Sequence, residues 1–377
     1  MRILHVNCNY ITSALHQVMM EHFDNSIENH VFVPTYDKQQ AVIRPNDNVS
    51  VSECFEKKDR FIYQYKQKKI VEAIEKTYDI SKFECIHAYT LYTDGNVAMT
   101  LSKKYHIPYV VAVRNTDVNI FFKYMIHLRK LGVEILKNAS AIFFLSSAYR
   151  DKVIRKYVPA SLGEYILKKS YMVPNGIDDF WLKNRVKEIS HHHIERLLNK
   201  EVKIIYAGKI DKNKNIITTA KALHVLQNKG WRVSYTIVGR CTDKNELGKA
   251  MKITNVLYYE QMSKEKLIRM YRDNDIFVMP SLSETFGLVY AEAMSQGLPV
   301  VYSSGQGFDG QYKQGTVGFS VKSRSSSDIV EAIEKIAQNY LAIAEEASYL
   351  SMNYDWHMIV AKYIDIYRKI IKNNVPN

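Results

Sequence analysis

The stretch from Asp275 to Tyr302 limits what this chain can fold into more than any other part of it. An apolar run, Asp275-Ile-Phe-Val-Met-Pro280, reads as a buried strand. It passes into a polar turn, Ser281-Leu-Ser-Glu-Thr285, and then into a helix opening near Phe286-Gly287. Gly297 ends the helix, Pro299 prevents its continuation, and a second apolar strand runs to Tyr302. A helix that starts at the carboxyl end of a strand turns free N–H groups and a positive dipole end toward an anion. Two carboxylates flank that start: Glu284 in the turn and Glu292 in the second helical turn. They would repel a phosphate, so they read as acceptors for sugar hydroxyls on either side of a diphosphate. Hexose, diphosphate and ribose follow one another in that order in a nucleotide-sugar. The competing reading is a solvated helix with two ordinary surface glutamates. The flanking strands and the small inward residues Ala291, Ala293 and Ser295 weigh against it.

Similar units recur along the chain. Apolar runs at Arg2–Val6, His30–Val33, Cys85–Ala88, Tyr109–Val113 and Ala141–Leu145 alternate with helical patterns, as do Lys203–Ala207, Val233–Val238 and Val256–Tyr259. That alternation predicts βα units and parallel sheets. A chain of 377 residues is long enough for two such domains, expected at 1–178, with the C-terminal helix from about 355 to 377, and at 179–354. Between them Phe180–Lys200 is polar and holds His191-His192-His193. Adjacent residues diverge on a helix, so a solvated linker helix is expected there and no metal site.

The composition, 46% hydrophobic and 24% charged, is globular, and no run reaches the roughly 18 apolar residues of a membrane span. Met1-Arg-Ile-Leu-His-Val6 reads as a strand and lacks the layout of a secretion leader. Cys8, Cys54, Cys85 and Cys241 form no C-x-x-C pair, which argues against a disulfide framework or a zinc site. A cytoplasmic protein without a metal is expected. The net charge of +13, spread over both halves, asks for an anionic partner. No nucleic-acid module is present, which leaves a phosphorylated substrate or an anionic membrane surface. The segment 120–137 carries apolar residues at helical spacing with Lys123, Arg129, Lys130 and Lys137 among them. It reads either as a helix lying on a membrane or as one packing on a domain core.

The passage around the two glutamates resembles the E-x7-E signature of the retaining, GT-B-fold glycosyltransferases of family four. The resemblance extends to Val173-Pro-Asn-Gly-Ile-Asp-Asp-Phe180, which looks like the turn closing that family's first domain. It also covers Tyr206-Ala-Gly-Lys-Ile-Asp-Lys-Asn-Lys-Asn215, similar to its G-R-x-x-x-x-K-G loop, with Lys209 where Arg is usual and Asn215 where Gly is usual. Tyr354-Asp355-Trp356 opens a pattern like the family's last helix, which returns to the first domain. The resemblance implies two Rossmann-like domains facing across a cleft. It implies a donor site made by Lys209, Lys214, Glu284, Thr285, Phe286, Gly287, Leu288 and Glu292. In it Glu284, Lys209 and Lys214 are catalytic, Glu284 meets the donor sugar, Glu292 the ribose, and the N–H groups of 286–288 the diphosphate. The implied reaction moves a sugar, with retention, from a nucleotide-sugar, a UDP-sugar first of all, to a saccharide or lipid-linked saccharide. The implied setting is bacterial surface-polysaccharide assembly.

The residues read alone agree on part of this. Lys209 and Lys214 lie in one loop after a strand, where two ammonium groups would neutralise a departing diphosphate. Lysine at 209 offers a point charge in place of arginine's fork. The acceptor side departs from the family: Asn7-Cys-Asn-Tyr-Ile-Thr-Ser13 stands where a Gly-Gly loop is frequent, and Val113-Arg-Asn-Thr-Asp117 where His is frequent. Arg114, Asn115 and Asp117 end a strand and are placed for ligand contact, with an Arg–Asp pair pinning the loop as the alternative. His87 matches a family position and reads equally as a core histidine. Gly305-Gln-Gly-Phe-Asp-Gly310 satisfies G-x-G-x-x-G formally, but no helix or closing acidic residue follows, so a donor-side loop is expected. Two other readings remain open: a GT-B nucleotide-sugar epimerase, which needs no acceptor, and a catalytically silent polysaccharide-binding or scaffold protein.

Overall fold

A computed structural model describes residues 1–12, 14–37 and 48–374 of the chain, Arg60 by its backbone only. Ser13 of the first loop and 375–377 of the expected last helix lie outside the described residues. The chain divides into two units, Met1–Pro174 with Trp356–Asn377, and Asn175–Asp355.

The first unit is built on seven parallel strands: β1 Arg2–Val6, β2 Glu28–Thr35, β3 Val49–Glu53, β4 Cys85–Ala88, β5 Tyr109–Val113, β6 Ala141–Phe144 and β7 Ser170–Met172. Their order is β3-β2-β1-β4-β5-β6-β7, so the chain reverses its direction across the sheet between β1 and β4. Ligands of open parallel sheets bind outside the carboxyl ends of the strands at such a reversal. The second unit repeats the pattern with β8 Glu201–Ala207, β9 Arg232–Val238, β10 Val256–Tyr259, β11 Ile276–Met279, β12 Val300–Ser303 and β13 Gly318–Val321, ordered β10-β9-β8-β11-β12-β13. Here the reversal falls between β8 and β11. The strands after it and before it carry the Lys209 loop and the Glu284 turn.

Central strands are buried along nearly their whole length, and mostly apolar, because both faces of a parallel sheet are covered. In β4, Ile86 and Ala88 join one core cluster with the helices Tyr63–Thr77 and Gly95–Tyr105. Cys85 joins the opposite cluster, which is closed by the helix Trp356–Asn374 through Trp356, Ile359, Val360, Tyr363 and Tyr367. That spacing is one apolar stripe on a helix, and it explains why the last helix belongs to the first unit.

His87 follows the alternation of β4 and points toward this last helix. It is fully buried, stacks on Tyr89 with ring centroids 4.2 Å apart, and bonds the Tyr367 hydroxyl through Nδ1 at 2.6 Å. Burial holds its pKa well below the ordinary value, and Nε2 has no partner. His5, pushed down by burial to about 4, and His16, to about 3, are neutral in the same aromatic layer. His87 is a core histidine.

Two further expectations change. The segment 120–137 is not one helix: a π turn at Asp117–Phe121, a short helix Phe122–Tyr124 and a 3-10 turn Ile126–Leu128 precede the helix Arg129–Asn138. Phe122, Leu128, Ile135 and Leu136 are buried in the core. Arg129 is used internally, donating from Nε to the Phe122 carbonyl at 2.6 Å. The histidine triplet opens the helix His191–Leu198; His191 and His192 are solvated as expected of a linker, but His193 is not. His193 donates to the buried Asp275 carboxylate at 2.7 Å, as does Arg196, and the Lys203 N–H completes that site at 2.7 Å. The helix is thereby tied to the amino ends of β8 and β11. A buried polar atom stripped of its partner costs about 1–3 kcal/mol. Tyr367→Phe, which leaves His87 with both ring nitrogens unpaired, should lower stability by that amount in urea or thermal melts. No loss would mean that the last helix holds by its apolar stripe alone.

Candidate functional site

In the second unit the turn after β11 and the loop after β8 are laced together. Asn213 donates from Nδ2 to the Ser283 carbonyl at 2.8 Å and accepts from the Ser283 N–H at 3.0 Å, and the Leu282 N–H reaches the Asn213 carbonyl. Asn215 stands at φ +57°, a left-handed position, and its side chain donates to the carbonyls of Pro280 and Ser323. Asparagine tolerates that conformation better than other non-glycine residues. The family's glycine is therefore replaced by the one kind of side chain that both fits the backbone and adds a tie.

Within this lacing Lys214 Nζ contacts Glu284 Oε2 at 2.6 Å, and the Ser281 hydroxyl donates to the same oxygen at 3.2 Å. Lys209 lies apart from them, half exposed and paired with Asp211 at 3.1 Å. The two lysines thus have different partners, although both leave the same sheet edge.

The helix after the turn is Leu288–Ser295, and Gly287 precedes it at φ +76° with no side-chain cap on its first turn. The first N–H groups of such a helix have no intrahelical acceptor. Phe286 is buried against Phe308 and Tyr354 and fixes the approach of the chain. Glu292 is partly buried, and its carboxylate has no hydrogen bond or ion pair among the described residues. Burial pushes its pKa up to about 7 against the pull of Lys264, with Asp178 adding to the rise. Lys264 and Asp178 pair with each other. The Gly305–Gly310 loop packs here as well: the Gly307 N–H donates to the Glu284 carbonyl at 3.2 Å, and Gln306 Oε1 accepts from the Glu284 N–H at 3.1 Å.

The first unit holds a cavity of about 960 Å³ at the carboxyl ends of β1 to β5, where its strand order reverses. Arg114 and Asp117 line it; Asn115 and His87 do not. Asp117 is buried and accepts the N–H groups of Leu91, Tyr92 and Arg114 at 3.0, 3.3 and 2.8 Å. Burial raises its pKa to about 6 against those donors. The loop is thus pinned as the alternative reading expected, but by backbone donors, while Arg114 Nε donates to the Tyr89 carbonyl at 3.1 Å. Asn115 bonds Asn119. The sequence reading missed Lys66, whose Nζ lies over the Phe55 ring at 4.5 Å, and the aromatic walls Phe55, Tyr63 and Phe121. It also missed Asp94, fully buried, which accepts from the Thr90 hydroxyl and the Cys8 N–H. No local pattern marks these residues, since they come together from the separate segments that follow β3, β4 and β5.

Residues 188–353 match the family described as glycosyl transferases group 1. Over 205 residues the chain is 27% identical to CapM, a capsular polysaccharide biosynthesis glycosyltransferase of Staphylococcus aureus, a match covering 52% of each chain. The chain spans about half the length of the curated relatives it matches first. Its fold is GT-B. It is similar to the sucrose-phosphate synthase of Thermosynechococcus elongatus at a TM-score of 0.73 and 17% identity, covering 99% of each chain. It is also similar to HepE of Anabaena in complex with UDP, at a TM-score of 0.68 and 16% identity, covering 98% of this chain and 100% of that one.

The backbone at the start of the helix Leu288–Ser295 leaves no room for a side chain. A Cβ on Gly287 would lie 2.5 Å from the Tyr290 ring, in a left-handed conformation costly to other residues. Gly287→Ala should destabilise the second unit by at least about 1–3 kcal/mol, read as a lower melting temperature. An unchanged melt would show that the turn relaxes freely and is not held for a ligand.

Proposed function

We propose that this cytoplasmic protein moves a sugar, with retention, from a UDP-sugar to a saccharide or lipid-linked saccharide in bacterial surface-polysaccharide assembly. The observation that carries the reading is the uncapped start of the helix Leu288–Ser295, set between a lysine-held carboxylate, Glu284, and an unpartnered one, Glu292. The N–H groups of Phe286, Gly287 and Leu288 take the diphosphate, Glu292 accepts from the ribose hydroxyls, and Glu284 from the hydroxyls of the sugar. A partly buried carboxylate without a donor is costly unless a ligand supplies one. The names of the relatives point the same way: one works in capsular polysaccharide biosynthesis and another was solved with UDP.

In the transfer the acceptor oxygen bonds the anomeric carbon as the carbon–oxygen bond to the diphosphate breaks. The acceptor proton passes to the leaving phosphate oxygen on the same face. Lys214 and Lys209 meet the charge that develops there, so no metal is assigned a part. Lys214, already directed at Glu284 by a short contact, is positioned before the donor arrives; Lys209 has to leave Asp211. The cavity with Lys66 and Arg114 receives the acceptor, and these two cations favour an anionic or phosphorylated one.

Lys214→Ala should weaken UDP binding about ten- to a hundredfold, the worth of one charged hydrogen bond, and UMP binding less. Lys209→Ala should do less to both. Glu284→Gln should keep UDP affinity and lower transfer from the UDP-sugar. Calorimetry with both nucleotides and a turnover assay measure this; a Glu284→Gln enzyme at the wild-type rate would overturn the assignment. Turnover of donor without any acceptor into an epimer would favour the epimerase.

The raised pKa of Glu292 gives the binding a pH signature. The ionised carboxylate accepts the ribose hydroxyls, so UDP affinity is full above about 7 and falls as the pH drops through that value. At one pH unit below, about a tenth of the free protein has the carboxylate ionised, and affinity through this group should fall about tenfold. Glu292→Gln should remove that dependence, while the nucleotide's own titration is common to both proteins. Parallel profiles for the two would take Glu292 out of the nucleotide site.

A further inference from the structure

The mouth of the first unit's cavity is apolar where a surface is ordinarily polar. Phe61 is 91% exposed, Ile62 61%, Tyr124 66% and Ile126 66%. They come from two segments, one where the 3-10 turn Lys57–Phe61 leads into the helix Tyr63–Thr77, the other the broken stretch after β5. Both segments line the same cavity, through Phe61 and Tyr63 on one and Phe121 and Met125 on the other. They are joined beneath: the Tyr63 hydroxyl donates to the Tyr92 carbonyl at 2.6 Å, and the Tyr92 ring stacks on Phe121 at 4.6 Å. Single exposed apolar residues are ordinary, but Phe61 lines the cavity, and Ile62, Tyr124 and Ile126 are immediate neighbours in sequence of the lining residues Tyr63, Met125 and His127, so the four belong to one apolar rim of the kind that marks an interaction site. The core does not need them, since Val118, Phe122 and Leu128 supply the buried contacts of the second segment.

Cations border the patch. Lys57, Lys123 and Lys130 are exposed and in no ion pair among the described residues. Lys123 and Lys156 crowd Lys152, whose pKa is lowered by burial first and by these two neighbours after it. Apolar and aromatic tips ringed by lysines match the boundary between anionic headgroups and acyl chains. No described helix is long and apolar enough to cross a membrane, so the contact is at its surface.

We propose that this mouth is applied to an anionic lipid surface, with Phe61, Ile62, Tyr124 and Ile126 entering the interface and the bordering lysines lying over the headgroups. The proposal rests on the reading of the cavity as the acceptor site and deepens it. An acceptor saccharide anchored in the membrane by an apolar chain then enters the cavity from the lipid side.

The test is co-sedimentation of the full chain with vesicles of phosphatidylcholine alone and of phosphatidylcholine with phosphatidylglycerol, over a salt series. The protein should bind the anionic vesicles and not the neutral ones, and lose binding as salt rises. Phe61→Ser with Ile62→Ser and Ile126→Ser should weaken binding about tenfold or more, and Lys57→Ser with Lys123→Ser by about fivefold per lysine. Both variants should keep the wild-type melting temperature and UDP affinity, which separates this surface from the donor site. Equal binding to the two vesicle types, or an apolar variant that binds as wild type, would overturn the proposal and leave the mouth to a protein partner. Failure of UDP to bind the wild-type chain would overturn the donor reading without touching this one.

Discussion

A parallel sheet has to be covered on both faces, because its central strands carry apolar residues toward both and no face can be left to water. In the first unit one face receives the helices that connect successive strands, and the other is closed in part by a helix from the far end of the chain. The unit is therefore incomplete until Trp356 and the residues after it are in place. The same constraint leaves only the strand ends open, and there the backbone N–H groups and loop side chains collect. In both units the polar side chains that matter stand at carboxyl ends, beside the strand where the order reverses.

The donor loops show how closely that edge is packed. A Cβ on Gly307 would come within 1.6 Å of the Thr285 carbonyl, so the 305–310 loop and the Glu284 turn meet backbone to backbone. Glu284 is held from three directions, by Lys214, by Ser281 and by the two backbone bonds to the loop. An ion pair this shielded stabilises little on balance, since desolvation offsets most of the attraction. Its value lies in position: both groups are fixed before a ligand arrives, and neither loses rotamer entropy on binding. Glu292 is the reverse case. The cost of its burial shows in the raised pKa, and hydrogen-bond donors brought to the carboxylate would offset it.

The second unit was legible because its signals are local. The strand, turn, helix and stop from Asp275 to Tyr302 stand in one stretch, and Gly297, at φ +78°, ends the helix where its position predicts. β3 and β13 were missed. Val49–Glu53 alternates valine with serine and glutamate at a half-exposed edge, and Gly318–Val321 is four residues opened by a glycine. Neither has the continuous apolar run of a central strand. Segment 120–137 was misread because helical spacing of apolar residues does not reveal a π turn or a 3-10 turn within it. For His193, composition suggested solvent; the decisive partner, Asp275, lies far along the chain.

The cavity of the first unit was the least legible, and its chemistry explains why. A carboxylate at a strand end can bind a ligand or its own backbone, and sequence does not distinguish the two. Asp117 takes three backbone N–H groups, and Asp94 takes the Cys8 N–H and the Thr90 hydroxyl. These carboxylates join the loops after β1, β4 and β5 to one another, so the walls of the cavity are fixed by charge-assisted bonds beneath its surface. What then faces an incoming molecule is aromatic and basic: Phe55, Tyr63, Phe121, Lys66 and Arg114. The buried acidic residues thus set the shape of the cavity, and Lys66 and Arg114 bring basic groups into its lining.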